Sequence, residues 1–312
     1  MRRRWAVVLV GSCFIVSTGP SASSAPSANT YVALGDSYTA GPLVPNPTGD
    51  PIDCGRSDHD YPALVAAALH VRAFRDASCG SASTTHFTSP QTGLQLGGTN
   101  PPQFNALAAD AAIVTVGIGG NDIGLGIAVI NCIHPVPPPV GPPPCADGYT
   151  AGGVDQMSRD IAATAPKIDA VLAAIHRRAP AARVLVVGYP HMFPDRGSGC
   201  WPYLPFLPED VVYLRAKLVE LNAMLRARTR AAGDAFVDTY ASSVGHDPCQ
   251  PPGRAWVNGA VVVPLSYVMH PNRLQMEATS RRVVTAICRA RHSGRIRACS
   301  RRANPPRIRR RN

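Results

Sequence analysis

Three short stretches hold residue types that could do acyl-transfer chemistry. In ALGDSYTAG, residues 33–41, a short apolar run ends at Leu34, Gly35 permits a tight turn, and Ser37 stands where the next element begins. A serine at a strand's carboxyl edge can expose its hydroxyl while nearby backbone N–H groups face the same substrate oxygen. In GGND, residues 119–122, Gly119 and Gly120 allow close backbone approach and Asn121 offers an amide donor for a developing oxyanion. In VMHPN, residues 268–272, Pro271 fixes the turn after His270, which is a candidate base for the Ser37 proton. Each stretch also has an ordinary structural account. Asp36 or Ser37 can cap a helix, GGND can be a turn with Asp122 as a cap, and a single histidine is more often packed or on the surface.

Positioning three such groups takes a scaffold, and the surrounding sequence describes one. Short β-branched runs occur at YVAL (31–34), VRAF (from 71), AIVTVGI (112–118), RVLVVG (183–188) and DAFVD (234–238). Between them YPALVAAAL, QFNALAA, residues 154–178 and the PEDVVYLRAKLVELNAMLRARTRAA segment have helical composition or periodicity. Buried strands alternating with helices predict a parallel sheet covered on both faces. Two Pro- and Gly-rich segments, residues 131–153 and 191–207, read as long loops and as candidate walls of a substrate site, the second carrying Trp201, Tyr203 and Phe206. Either can equally be a stapled surface loop.

The chain opens MRRRWAVVLVGSCFIVSTGPSASSAPSA, a basic start, a modest apolar run and then small residues, the layout of a secretory signal peptide over residues 1–25. Eight of the nine cysteines follow it, with no CxxC spacing, and are read as structural disulfides rather than metal ligands. Sequence order suggests Cys54–Cys79, Cys132–Cys145, Cys200–Cys249 and Cys288–Cys299. The formal charge is +11, but three arginines lie in the leader and ten, with no acid, in residues 289–312, so the body between them carries −2. That distribution argues against a nucleic-acid binder. The basic tail, 289–312, is expected to be disordered, with possible contact to anionic membrane or cell wall. One core fits the intervening residues 30–288 without a second domain, and a monomer is expected.

Taken together in order, spacing and strand-end placement, GDSY, GGND and HPN resemble the SGNH or GDSL hydrolase superfamily, and especially its secreted actinobacterial esterases and lipases. The resemblance implies an α/β fold, a flavodoxin-like three-layer α/β/α sandwich with a central parallel sheet. It makes Ser37 the nucleophile, His270 the general base and Asn121 a side-chain oxyanion donor, with no cofactor or metal. The family's next block is a cysteine followed by glycine, alanine and threonine. Here the text is SCGSASTT, residues 78–85, which places Ser81 where the donor glycine usually sits and leaves Gly80 as the alternative; the Ser37 amide is a further expected donor. Many relatives carry aspartate three residues before the histidine, whereas this chain has Tyr267 there. The resemblance then implies a Ser-His dyad, with the Tyr267 carbonyl orienting the ring, or else a distant carboxylate such as Asp247. The implied reaction is hydrolysis of acyl or fatty acyl esters through an acyl-enzyme. Acetyl-polysaccharide esterase and phospholipase A activities are alternatives, and a silent wall- or lipid-binding protein is the non-enzymatic one.

Overall fold

The computed structural model describes residues 30–137, 140–197, 199–260 and 267–289. The leader and residues 290–312 of the basic tail, with Cys299, lie outside those residues, while Arg289 ends the last helix. Among the described residues seven strands occur in chain order: β1 (Thr30–Gly35), β2 (Pro47–Thr48), β3 (Arg56–Ser57), β4 (Ala73–Asp76), β5 (Ala111–Gly117), β6 (Arg183–Val187) and β7 (Ala235–Val237). Five form one parallel sheet in the order β4-β1-β5-β6-β7, and β2 and β3 make a small antiparallel pair. The chain winds outward from β1 in both directions. The reversal of strand order beside β1 opens a crevice at the strands' carboxyl ends, where α/β sheets place their ligands.

Alternation along β1 assigns its two faces. Tyr31 and Ala33 pack with Val65, Leu69, Val283 and Ile287, from α2 (Tyr61–Leu69) and α8 (Arg273–Arg289). Val32 and Leu34 share the other core with Ile168, Leu172, Leu218 and Leu221, from α5 (Gln156–Arg178) and α6 (Pro208–Ala231). Side chains two residues apart on a strand point the same way, so one run of apolar residues supplies both layers. The result is a three-layer α/β/α sandwich, the fold that the sequence resemblance implies.

Helix boundaries follow local chemistry. The Asp60 carboxylate accepts the Ala63 N–H at 2.7 Å to start α2, and Asp155 accepts the Ser158 N–H at 3.1 Å to start α5. Pro208 occupies the first turn of α6 beside Glu209 and Asp210, where both the missing N–H and the negative charges are favoured. Short helices complete the chain order: α1 (Ser37–Ala40), α3 (Leu125–Asn131), α4 (Cys145–Tyr149) and α7 (Tyr240–Ser243).

Two elements differ from expectation. QFNALAA forms only a single 3-10 turn at Gln103–Ala106, because Pro101 and Pro102 precede it and the Gln103 side chain bonds the backbone of β1 instead. Helix α8 is absent from the expected set. Its buried Met276, Val283 and Ile287 are interleaved with buried Gln275, Thr279 and Ser280, which dilute the apolar stripe. Three disulfides join Cys54 to Cys79, Cys132 to Cys145 and Cys200 to Cys249, in the order expected. The fourth expected pair, Cys288–Cys299, reaches outside the described residues.

Candidate active site

The nucleophile candidate sits at the end of β1. Gly35 pairs with Gly117 in β5, and a Cβ on Gly35 would stand 2.3 Å from Thr39 Oγ1 and 2.5 Å from the Gly117 carbonyl. Only glycine fits that approach. Asp36 then caps α1 by accepting the Tyr38 N–H at 2.9 Å, which leaves Ser37 as the first residue of the helix with its hydroxyl toward the crevice. Gln103, fully buried, brackets Gly35 by donating to its carbonyl at 2.9 Å and accepting its N–H at 2.8 Å.

His270 is brought to this point from the other end of the chain. Its Nε2 lies 2.7 Å from Ser37 Oγ and its Nδ1 lies 2.7 Å from the Val268 carbonyl. A carbonyl can only accept, so Nδ1 carries the proton and the Nε2 lone pair receives the Ser37 hydroxyl. The orienting carbonyl is therefore one residue later than expected. The Tyr267 carbonyl instead accepts the His270 backbone N–H at 3.2 Å, closing the turn, while the Tyr267 ring meets the imidazole edge-on at 5.3 Å. Asp247 accepts from the Cys249 N–H at 2.9 Å and from the Gln250 amide at 3.2 Å, so its oxygens serve their own loop. Desolvation lowers the His270 pKa to about 4, against a smaller opposing effect of the Val268 bond, and keeps the ring a neutral base.

Two further turns follow the strands that flank β1, residues 78–85 after β4 and GGND after β5. Asn121 donates one amide hydrogen to the Ala82 carbonyl at 2.8 Å, which fixes the rotamer and leaves its second hydrogen for another acceptor. Asp122 accepts the Thr84 N–H at 3.0 Å and its hydroxyl at 2.5 Å, and so clamps GGND to the SCGSASTT loop. In that loop the Gly80 N–H donates to the Cys54 carbonyl at 2.8 Å and is engaged. The Ser81 N–H, like that of Ser37, has no acceptor among the described residues. Ser81 has φ 61, the left-handed region that favours glycine, which gives a physical reason for a glycine at this place in the family pattern. The Cys54–Cys79 bridge and the Cys79 N–H to Gly35 carbonyl bond (3.0 Å) tie the loop to the nucleophile strand.

Sequence reasoning missed Tyr189. It follows β6, accepts the Gly120 N–H at 2.7 Å and donates to Asp36 Oδ2 at 2.5 Å. Its sequence signal was slight: an aromatic hydroxyl in GYP, just past a strand end. Tyr38 was missed as well; its hydroxyl donates to the Met269 carbonyl at 2.7 Å and its ring packs 4.8 Å from the imidazole. Among the described residues, Cys132, Cys145 and Asp210 bring two sulfurs and a carboxylate together, and both sulfurs are in a disulfide.

Comparison with known proteins places the chain in a family. A family model described as GDSL-like Lipase/Acylhydrolase family matches residues 33–278. The chain belongs to that family. Lipase 2 of Streptomyces coelicolor is 34% identical over 276 residues, covering 86% of this chain and 90% of its own length. The lipase of Streptomyces rimosus is 30% identical over 254 residues, covering 80% and 84%. Among solved structures, the extracellular lipase from Streptomyces rimosus superposes with a TM-score of 0.60 at 26% identity, covering 84% of this chain and 99% of that one. Phospholipase A1 from Streptomyces albidoflavus shares the fold at a TM-score of 0.66 and 24% identity, covering 84% and 98%. Family membership makes the protein a carboxylic-ester hydrolase of the esterase and lipase kind.

Proposed function

We propose that the protein is an exported hydrolase of acyl esters that works through a Ser37–His270 dyad and an acyl-enzyme. The observation that carries this is the pair of 2.7 Å contacts at His270, one to the Ser37 hydroxyl and one to the Val268 carbonyl. They give the base its tautomer and its direction, with a main-chain carbonyl as the group on Nδ1. His270 Nε2 takes the Ser37 proton as Oγ attacks the ester carbonyl carbon. The resulting oxyanion is received by the Ser37 and Ser81 N–H groups and by the second amide hydrogen of Asn121. Collapse breaks the bond to the alcohol, which leaves with the proton from Nε2. Water then attacks the acyl-enzyme with His270 again as base, and Ser37 is regenerated.

The rim favours an apolar acyl group. Ile127, Ile130, Ile133, Val136 and Val140 are exposed along α3 and the Cys132–Cys145 loop, outnumbering exposed Trp201 and Tyr203 on the neighbouring loop, and no charged residue occurs from Gly124 to Ala146. The His134 N–H donates to the Pro205 carbonyl at 2.7 Å and joins the two loops. Flat aromatic platforms, which a sugar substrate would use, are the minority. Export is supported by the leader-like opening, the three disulfides and the likeness to an extracellular lipase. The test is hydrolysis of p-nitrophenyl esters from acetyl to palmitoyl by the mature chain and by Ser37→Ala. Turnover peaking at medium or long chains and lost in the variant is expected. Turnover of acetyl ester alone would move the substrate to acetylated polysaccharide, and turnover surviving in Ser37→Ala would overturn the nucleophile.

A further inference from the structure

We infer that Tyr189 and Asp36 are positioning residues that set the oxyanion turn against the nucleophile turn, so that the donors act as one unit. The inference rests on the dyad reading above and adds residues to it. The pair spans three strand ends. Asp36 follows β1, Gly120 follows β5 and Tyr189 follows β6. The Gly120 N–H donates to the Tyr189 hydroxyl, and that hydroxyl donates to Asp36 Oδ2, while Asp36 Oδ1 accepts the N–H that starts the helix carrying Ser37. With Asp36 ionised, both of its oxygens can only accept, so the Tyr189 hydroxyl is the donor between the two and the direction of the chain is fixed. Gly120 adjoins Asn121, and a Cβ there would stand 3.0 Å from Tyr189 Oη, so the turn is in contact with the ring as well as bonded to it. The Tyr189 backbone is itself bracketed by Asn222, which donates to its carbonyl at 3.0 Å and accepts its N–H at 2.9 Å. Asp36 and Tyr189 are 1% and 2% exposed, so water does not substitute for either bond.

The geometry places both Asp36 oxygens as acceptors, which is the carboxylate's part. The titratable groups facing it are Tyr189, Tyr38 and Asp122; burial, with a smaller contribution from Asp122, raises the Asp36 pKa to about 7. Protonation on Oδ2 would deprive the Tyr189 hydroxyl of its acceptor. Activity should therefore step down as pH falls through about 7, well above the final loss when His270 is protonated.

The experiment compares wild type, Tyr189→Phe, Asp36→Asn and Tyr213→Phe on p-nitrophenyl butyrate from pH 5 to 9, with active sites counted by phosphonate titration. Tyr213 also donates a hydroxyl bond to a carboxylate, Asp155, at 3.0 Å, and serves as a structural control. Per titrated site, Tyr189→Phe and Asp36→Asn are expected to lose about 10- to 100-fold in kcat with KM within about twofold, the cost of misplacing transition-state donors. Both should lack the step near pH 7, and Tyr213→Phe should keep wild-type kcat and the step. A kcat within about twofold of wild type in both variants, or the step persisting in Asp36→Asn, overturns the inference. If Tyr189→Phe does not fold, Asp36→Asn decides alone, since its amide oxygen still caps α1. A wild type that neither turns over ester nor reacts with phosphonate would instead defeat the dyad reading.

Discussion

The nucleophile side and the histidine side of the crevice are built in different ways. On the nucleophile side, side chains hold backbone: buried Gln103 on Gly35, Asp36 on the Tyr38 N–H and Arg56 on the Ser78 carbonyl, and half-buried Asp122 on Thr84 and Asn121 on Ala82. On the histidine side, side-chain braces from Tyr38 to the Met269 carbonyl and from Asn272 to the Ala255 carbonyl are joined by a ladder in which backbone holds backbone. Residues 256–259 run against 269–272 through bonds from Asn258 N–H to the His270 carbonyl, Met269 N–H to the Gly259 carbonyl and Asn272 N–H to the Trp256 carbonyl. A side-chain brace is specified by one residue and lost with it, while a backbone ladder tolerates changes in the side chains along it. The oxyanion side should therefore be brittle to single substitutions, and the orienting group for His270, being a carbonyl, cannot be deleted by any.

The largest effect expected from breaking this comparison is at the pair that joins the two sides. Ser37→Ala and His270→Ala should each lower kcat/KM by about 10⁴-fold or more, and the double variant should be little worse than either, because they act as a unit. Asn121→Ala should cost about 10²- to 10³-fold, mostly in kcat, as removal of one oxyanion donor does. Gln103→Ala should lower unfolding stability by about 1–3 kcal/mol in a denaturant titration, since the Gly35 N–H is left buried without an acceptor. The smallest effect should come from Asp247→Asn. With a carbonyl orienting His270, kcat should change by less than about threefold, whereas a triad aspartate would cost about 10⁴-fold.

The pH dependence sharpens the same contrast. His270 must be neutral to accept the Ser37 proton, and burial lowers its pKa to about 4. Activity is thus finally lost as pH falls through about 4, rather than through the about 6.5 of an unperturbed histidine. A kcat/KM profile whose last acid limb stands near 6.5 would mean a solvated ring or a carboxylate partner.

Much of this architecture was legible because it is local. The five sheet strands, α2, α5 and α6 follow from apolar period and caps, and GDSY, GGND and HPN each sit at a strand end or helix start in a few residues. What escaped was decided at long range or by one residue of loop geometry. Tyr189 meets Asp36 across 153 residues and Gln103 meets Gly35 across 68, and no pattern in either segment marks the partner. The bond from the Gly80 N–H to the Cys54 carbonyl, which bears on the alternatives Gly80 and Ser81, joins two separate loops and leaves no mark in SCGSASTT. The shift of the orienting carbonyl from Tyr267 to Val268 depends on the tight turn in which Met269 has φ 54, a backbone conformation not evident from the residue type.

In the proposed reaction Ser37 becomes the covalent carrier of the acyl group with His270 as its base. Incubating the mature chain and His270→Ala with a p-nitrophenyl phosphonate, followed by peptide mass spectrometry, tests it most directly. A single adduct on Ser37, formed at least about 10²-fold more slowly in His270→Ala, is the predicted result. An adduct on another residue, or equal labelling rates with and without the imidazole, would contradict it.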